Sequence, residues 1–164
     1  MSKILVTGGC GFIGSHLVDA LLDEGHEVVI VDSLATGKLE NIEHLLDKVD
    51  FYKEDIRNLD MLRKLIESVD YVYHEAALGS VPRSVADPLT TNDVNVTGTL
   101  NVLIAAKEAG VKRVTFASSS SVYGNTPTLP KIETMRPMPM SPYAVSKLAG
   151  EAYMQAFYHS YGLE

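Results

Sequence analysis

Short runs of apolar, often β-branched residues alternate along the chain with longer segments in which apolar residues recur at helical spacing. The short runs predict strands at Lys3–Thr7, Glu27–Val31, Val49–Lys53, Tyr71–His74 and Arg113–Ala117. The longer segments predict helices at Ile13–Glu24, Leu59–Ser68, Pro88–Ala109 and Pro142–Tyr161. Strands that alternate with helices are typical of a parallel sheet covered on both faces. We therefore predict an α/β fold with a doubly wound parallel sheet, the Rossmann arrangement.

Residues at the predicted helix ends support these boundaries. Asp87 and Ser141 each precede a proline that suits the first helical turn, and their side chains suit an N-cap. Gly25 and Gly110 follow two of the helices, where a left-handed residue ends a helix well. The segment between the fifth strand and the last helix should stay irregular because it contains Pro127, Pro130, Pro137 and Pro139.

Length and charge restrict the classes of function. With 164 residues and 46% hydrophobic content, the chain predicts one domain, residues 1–164. Its formal charge of −7, without a long run of like charges, argues against nucleic-acid and anionic-membrane partners. The N-terminal apolar run Ile4–Val6 is too short for a signal peptide or a membrane span, so we expect a cytoplasmic protein. Its single cysteine and scattered histidines predict no metal site.

A cluster of glycines follows the first predicted strand and leads into the first helix, with the sequence TGGCGFIG from Thr7 to Gly14. Glycines allow positive φ and a close approach of the backbone, and the helix N-terminus favours an anion, so the segment predicts a pyrophosphate site. Gly9, Gly11 and Gly14 fit one dinucleotide spacing, whereas Gly8, Gly11 and Gly14 fit another. Spacing alone does not choose between them.

Asp32 at the end of the second strand adds specificity to this loop. A carboxylate there can accept hydrogen bonds from both hydroxyls of an adenosine ribose and repels a 2′-phosphate. The combination predicts NAD rather than NADP as the cofactor.

Tyr143 and Lys147 lie four residues apart near the start of the last predicted helix, so both side chains fall on one face. A nearby ammonium favours the phenolate form of a tyrosine, which then serves as a base. Four serines, Ser118 to Ser121, follow the fifth strand at the sheet edge where ligands bind in open α/β folds. A hydroxyl from this group is a candidate to hold a reacting oxygen.

Six motifs in order carry a family resemblance. They are TGGCGFIG (7–14), Asp55 with Ile56, HEAA (74–77), NVTGT (95–99), SSSSVYG (118–124) and YAVSK (143–147). Together they resemble the extended short-chain dehydrogenase/reductase family, specifically its NAD-dependent nucleotide-sugar epimerases and dehydratases. The resemblance covers essentially the whole chain.

The resemblance implies a role for each matching residue. It assigns catalysis to Ser119, Tyr143 and Lys147. It assigns contacts with NAD to Gly8, Gly11, Phe12, Ile13, Gly14, Asp32, Asp55, Ile56, Ala76, Ala77, Asn95, Tyr143 and Lys147. It assigns contacts with the sugar to Gly79, Ser80, Ser119, Ser120, Ser121 and Tyr143, whereas we expect Arg83 to face solvent rather than a phosphate.

The implied reaction is 4-epimerisation of a UDP sugar. Tyr143 removes the proton of the C4 hydroxyl, Ser119 orients that hydroxyl, and NAD takes up and returns the hydride through a 4-keto sugar. Ser120 and Ser121 stand where related dehydratases carry carboxyl residues, so the sequence does not support water elimination. The segment 77–84 is most similar to UDP-N-acetylhexosamine 4-epimerases, with UDP-glucuronate 4-epimerases next.

The resemblance also implies features of the whole protein. Family members continue into a sixth strand and a smaller substrate domain, so we expect the residues that clamp the nucleotide to lie outside residues 1–164. Three hypotheses remain: the NAD-binding half of an epimerase, an NAD-binding module without turnover, and a separate reductase that acts on a small carbonyl compound. The helices 88–109 and 142–161 are apolar on more than one face, and the resemblance implies a homodimer through them.

Overall fold

The computed structural model describes all 164 residues and contains one sheet of parallel strands. In chain order the strands are β1 (Lys3–Thr7), β2 (Glu27–Val31), β3 (Asp50–Tyr52), β4 (Tyr71–His74) and β5 (Arg113–Phe116). Their order in the sheet is β3-β2-β1-β4-β5. The predicted α/β fold is confirmed, and the only strand differences are slightly shorter β3 and β5.

The helices cover both faces of the sheet. They are α1 (Phe12–Asp23), α2 (Leu59–Ile66), α3 (Val81–Ala86), α4 (Pro88–Asn92), α5 (Gly98–Ala109) and α6 (Pro142–Tyr161). The helix predicted over 88–109 is instead α4 and α5 joined by a π-helical turn, Asp93–Thr97. Helix α3 was not predicted because its six residues are too few to show a helical period.

The predicted caps form where the sequence placed them. The Asp87 carboxylate accepts a hydrogen bond from the Thr90 amide at 3.0 Å, and the Ser141 hydroxyl accepts one from the Ala144 amide at 3.1 Å. Gly25 and Gly110 have φ values of +80° and +71°, the left-handed conformation that ends a helix. The proline-rich loop is mostly irregular and contains one 3₁₀ turn, Ser120–Tyr123.

Alternate strand residues feed two separate cores. On one face, Leu5, Val72 and Val114 pack in a cluster that also holds buried residues of α2, α5 and α6. On the other face, Val6 and Ile30 pack with buried residues of α1. Because both faces are buried, the strands read as nearly continuous apolar runs.

The strand order creates a crevice. The chain places β2 and β3 on one side of β1, then crosses over to place β4 and β5 on the other side. In open α/β sheets, ligands bind outside the carboxyl ends of the strands where this reversal occurs, here between β1 and β4. Gly8 directly follows β1 and Glu75 directly follows β4, so both lie at this point. None of the helices is long and apolar enough to cross a membrane.

Candidate active site

The glycine loop after β1 packs so closely that side chains do not fit. Gly8 has φ +74°, and a Cβ there would lie 2.6 Å from the Ala76 amide nitrogen. A Cβ on Gly14 would lie 2.3 Å from the Gly8 carbonyl oxygen. Gly9 instead abuts the Ile30 side chain and lines neither of the cavities at the strand ends. The structure thus selects the spacing of Gly8, Gly11 and Gly14.

Helix α1 starts directly from this loop without a side-chain cap. Gly11 is its N-cap residue, and no acidic residue lies in its first turn. Phe12 and Ile13, whose side chains are 80% and 63% exposed, form the first turn beside the loop. The uncapped amides and the positive end of the helix dipole make this an environment that favours an anion.

A cavity of about 190 Å³ opens beside the loop, and we call it the Asp32 cavity. Its wall includes Gly8, Gly11, Asp32, Asp55, Ile56, Ala76 and Ala77, all predicted cofactor contacts. The Asp32 carboxylate is 8% exposed and accepts hydrogen bonds from the Cys10 amide at 2.9 Å and the Leu34 amide at 2.8 Å. These bonds fix the carboxylate at the cavity wall.

Asp55 and Ile56 contribute to that wall in different ways. Arg57 donates to Asp55 at 2.8 Å and to Asp93 at 2.9 Å, and its hydrogen bonds lower the pKa of Asp55. The Ile56 side chain is buried against α5. It packs so closely on Gly98 that a Cβ there would lie 2.6 Å from the Ile56 Cδ1 atom. Asp55 is therefore ionised and held in place, and Ile56 fixes the end of its segment to the core.

A second cavity, which we call the Tyr143 cavity, adjoins the first through a shared wall that includes Gly8, Gly11 and Glu75. Its remaining predicted residues are Phe12, Ile13, Gly14, Ala77, Gly79, Tyr143 and Lys147. The tyrosine and the lysine thus share one cavity with the glycine loop.

Lys147 is almost fully enclosed, with 4% of its surface exposed. Its ammonium donates to the Ala117 carbonyl at 2.8 Å and lies 4.9 Å from the centre of the Phe116 ring. Burial lowers the pKa of Lys147 to about 8, and the charge of Glu75 opposes that shift. The Lys147 side chain is therefore held in one position. Burial favours its neutral form, and the charge of Glu75 favours its charged form.

Glu75 was quoted in a motif but received no role from the sequence. It lines both cavities, and burial raises the pKa of its carboxyl while the charge of Lys147 lowers it. It is the only acidic residue on the wall of the Tyr143 cavity. An acidic residue directly after a buried strand was the signal that would have identified it.

The serine segment divides between two cavities. Ser118 lines the Tyr143 cavity, and its hydroxyl donates to Glu151 of α6. Ser118 also lines a third cavity, together with Ser119, Ser120, Tyr123, Lys131, Ile132, Glu133 and Glu151. The Ser119 hydroxyl accepts a hydrogen bond from the Ser121 hydroxyl at 2.9 Å. The structure therefore brings Ser118, rather than Ser119, into the same cavity as Tyr143, and the catalytic role of Ser119 stays a prediction.

Two other predicted contacts lie away from the cavity walls. The Asn95 side chain is buried and bonds to the Leu78 backbone and to Ser146. The Ser80 hydroxyl caps α3 by accepting from the Arg83 amide at 3.2 Å. Their ligand contacts remain predictions, whereas Arg83, expected to face solvent, is exposed but also lines the Tyr143 cavity.

The histidine, cysteine and acidic side chains are dispersed over the structure. No group of three histidine, cysteine or acidic side chains is placed to hold a metal ion. Burial raises the pKa of the Cys10 thiol to about 12, so the only cysteine is not a nucleophile. The wall of the Tyr143 cavity combines the Tyr143 phenol, the Lys147 ammonium and the uncapped start of α1.

Comparison with known proteins gives a consistent result. A family model described as the NAD dependent epimerase/dehydratase family matches residues 4–164. The UDP-glucose 4-epimerase of Mycolicibacterium smegmatis is 45% identical over 166 aligned positions, which cover 99% of this chain and 53% of that protein. The chain spans about half the length of the curated relatives it matches.

Solved structures of similar proteins superpose closely. A UDP-N-acetylglucosamine 4-epimerase from Methanobrevibacter ruminantium, in complex with UDP-N-acetylmuramic acid, gives a TM-score of 0.94 at 46% identity, covering 99% of this chain and 52% of that one. The UDP-glucose 4-epimerase of Thermus thermophilus, in complex with NAD, gives a TM-score of 0.92 at 43% identity, with 99% and 52% covered.

Proposed function

The chain belongs to the NAD-dependent epimerase/dehydratase family, and from this we propose that it forms the NAD-binding and catalytic part of a nucleotide-sugar 4-epimerase. NAD is the cofactor of the family, and similar proteins are solved with it bound. The observation that carries the proposal is the position of Tyr143 and Lys147 in one cavity with the glycine loop.

The residues present fit NAD. Gly8 and Gly14 leave no room for a Cβ against the neighbouring backbone, so they keep the turn tight, and Gly11, on the wall of both cavities, has no side chain to keep a pyrophosphate away. The uncapped start of α1 favours that anion, and Asp32 supports recognition of ribose hydroxyls at the other end of the Asp32 cavity. When bound, NAD supplies a hydride acceptor and donor for the sugar carbon.

The proposed roles of the side chains follow from their positions. Tyr143 removes the proton of the sugar C4 hydroxyl and returns it after the 4-keto sugar has turned over, so no net oxidation occurs. Lys147, fixed by the Ala117 carbonyl, places its ammonium in the same cavity, where it stabilises the negative charge that develops on the phenol oxygen during proton transfer. Ser119 orients the hydroxyl in the prediction from sequence, and the position of Ser118 in the Tyr143 cavity makes it a second candidate.

We propose UDP-N-acetylhexosamines as the substrates. The similarity of segment 77–84 and the 46% identity to a UDP-N-acetylglucosamine 4-epimerase support this choice. UDP-glucose is the second candidate, because the curated relative with 45% identity is a UDP-glucose 4-epimerase. In either case the sugar carries a free C4 hydroxyl for Tyr143.

A titration followed by a substrate panel tests the proposal. NAD should bind at least about tenfold more tightly than NADP, because a carboxylate beside a 2′-phosphate costs more than about 1.4 kcal/mol. Asp32→Asn should narrow that ratio, whereas Asp47→Asn, outside both cavities, should not. UDP-N-acetylglucosamine should convert to UDP-N-acetylgalactosamine faster than UDP-glucose converts to UDP-galactose. Equal affinity for NAD and NADP would refute the cofactor assignment. NAD binding without turnover of any UDP sugar, in the longer protein that includes the expected substrate domain, would indicate a binding module.

We further propose that the protein acts as a homodimer through the helical segments 88–109 and 142–161. Val96, Leu100 and Leu148 are half-buried and Ala152 and Ala156 are exposed, so apolar surface remains on these helices. Light scattering should give the mass of a dimer for the wild-type protein. Ala152→Glu should give the mass of a monomer, because the dimer interface would bury a carboxylate without a partner. Thr128→Glu in the exposed loop before α6 is the control. A monomeric wild-type protein at high concentration contradicts the proposal.

A further inference from the structure

A fully buried histidine connects two elements behind the cavities. His74, the last residue of β4, has 0% of its surface exposed. Its Nδ1 atom lies 2.7 Å from the Thr7 hydroxyl oxygen at the end of β1, and its Nε2 atom lies 2.9 Å from the Thr99 hydroxyl oxygen in α5. Burial lowers the pKa of His74 to about 3, so the ring is neutral.

The hydrogen bonds around the ring fix its tautomer. The Thr99 hydroxyl donates its only proton to the Asn95 carbonyl at 2.6 Å, so it can only accept from His74, and Nε2 must carry the proton. Nδ1 is then the acceptor for the Thr7 hydroxyl proton. The Thr7 oxygen in turn accepts from the Ala76 amide at 3.3 Å. The donor and the acceptor of each hydrogen bond in this part of the network are therefore fixed.

The network continues through Asn95 to the start of α6. Asn95 lies in the π-helical turn, and its side-chain oxygen accepts from the Leu78 amide at 2.7 Å. Its side-chain nitrogen donates to the Ser146 hydroxyl at 3.0 Å, and that hydroxyl donates to the Tyr143 carbonyl at 2.7 Å. One connected set of bonds thus joins the end of β1 to the helical turn that carries Tyr143.

Two ends of this network meet the Asp32 cavity. Ala76 and Leu78, which bond to Thr7 and Asn95, lie on its wall, and Gly8 follows Thr7 directly. His74 and Thr99 line neither the Asp32 cavity nor the Tyr143 cavity. Buried polar groups cost free energy relative to an apolar core. When all of their hydrogen bonds are made, they hold the surrounding segments in one defined geometry. All buried side-chain polar atoms here are satisfied.

We propose that His74 and Thr99 are positioning residues, which set the place of the 76–78 wall and of Tyr143 relative to the glycine loop without touching the ligand. The proposal rests on the proposed function only in that NAD is the ligand of the Asp32 cavity. Thr99 is the best point to test, because valine has the same shape without the hydroxyl, and serine keeps the hydroxyl.

Thr99→Val leaves the His74 Nε2 proton without an acceptor, so the ring and the wall must move. We expect the dissociation constant for NAD to rise about tenfold, the loss of about one good hydrogen bond, and Thr99→Ser to stay within about twofold of wild type. Thr91→Val is the matched control. Thr91 is buried in α4 and donates to the Asp87 carbonyl four residues earlier at 2.9 Å, but it is not part of the network.

If the role of Thr99 is merely structural, Thr99→Val and Thr91→Val both lower the melting temperature. The dissociation constants for NAD, measured well below that temperature, then stay unchanged in both variants. That result would overturn the proposal. Should Thr99→Val not fold, Thr7→Val and Thr7→Ser break and keep the other end of the network with the same expected pattern.

Hydrogen exchange gives a second measurement that needs no ligand. The Leu78 amide bonds to Asn95, so its exchange should quicken at least about tenfold in Thr99→Val and stay unchanged in Thr91→Val. If the wild-type protein does not bind NAD, the proposed function fails. The exchange rate of the Leu78 amide still tests whether the network holds the 76–78 wall in place. Equal exchange in Thr99→Val and wild type would refute the positioning role.

Discussion

In the longer protein that includes the expected substrate domain, Tyr143→Phe should lower the rate of sugar epimerisation by roughly two to four orders of magnitude, the range lost when a general base is removed. The substitution removes one oxygen and keeps the ring, so the start of α6 and the Ser146 bond to the Tyr143 carbonyl should persist. NAD should therefore bind nearly as tightly as before. Steady-state turnover of the UDP sugar and an NAD titration on the same preparation measure the two effects separately.

Tyr158→Phe supplies the matched control for this loss. Tyr158 lies on the same helix, its side chain is exposed, and it lines neither the Asp32 cavity nor the Tyr143 cavity. The same chemical change there should leave turnover within about twofold, since surface substitutions usually have small effects. Full activity in Tyr143→Phe would remove this phenol from the mechanism.

Gly8→Ala is expected to lower the free energy of unfolding by roughly 2 to 5 kcal/mol, the sum of a left-handed backbone cost and a forced core contact. Gly8 has φ +74°, and an added Cβ would lie within 3 Å of the backbone of Ala76 and Glu75. Relief of that contact requires the loop to move away from β4. We therefore expect NAD affinity to fall at least about tenfold as well.

Gly25→Ala separates the two costs. Gly25 has φ +80°, close to that of Gly8, but a Cβ there meets nothing within 4 Å. Its substitution should cost only the left-handed term, roughly 1 to 2 kcal/mol, and leave NAD affinity unchanged. Chemical unfolding and calorimetric titration measure both quantities. If Gly8→Ala were no more harmful than Gly25→Ala, the close contact with β4 would not matter for the site.

The sequence by itself determined the strands, most of the helices and the candidate residues for the chemistry. Strands and long helices follow from local periodicity, and caps such as Asp87 and Ser141 act within three residues. Residues close together in the sequence are therefore enough to predict these elements and their ends. The pairing of Tyr143 with Lys147 is also local, because it depends only on helical spacing. The glycine loop and Asp32 were recognisable because each follows a strand.

Tertiary structure decided everything that depends on contacts between distant segments. Gly8 rather than Gly9 belongs to the loop spacing because Ala76, from the segment that follows β4, lies against it. Likewise the π-helical turn directs Asn95 inward, and Glu75 meets Lys147 only once β4 and α6 are placed. Serines 118 and 119 look alike in sequence, but after β5 only Ser118 reaches the Tyr143 cavity, whereas both line the third cavity. Spacing along the chain carries no record of such distances, because they are set by how the sheet and helices pack.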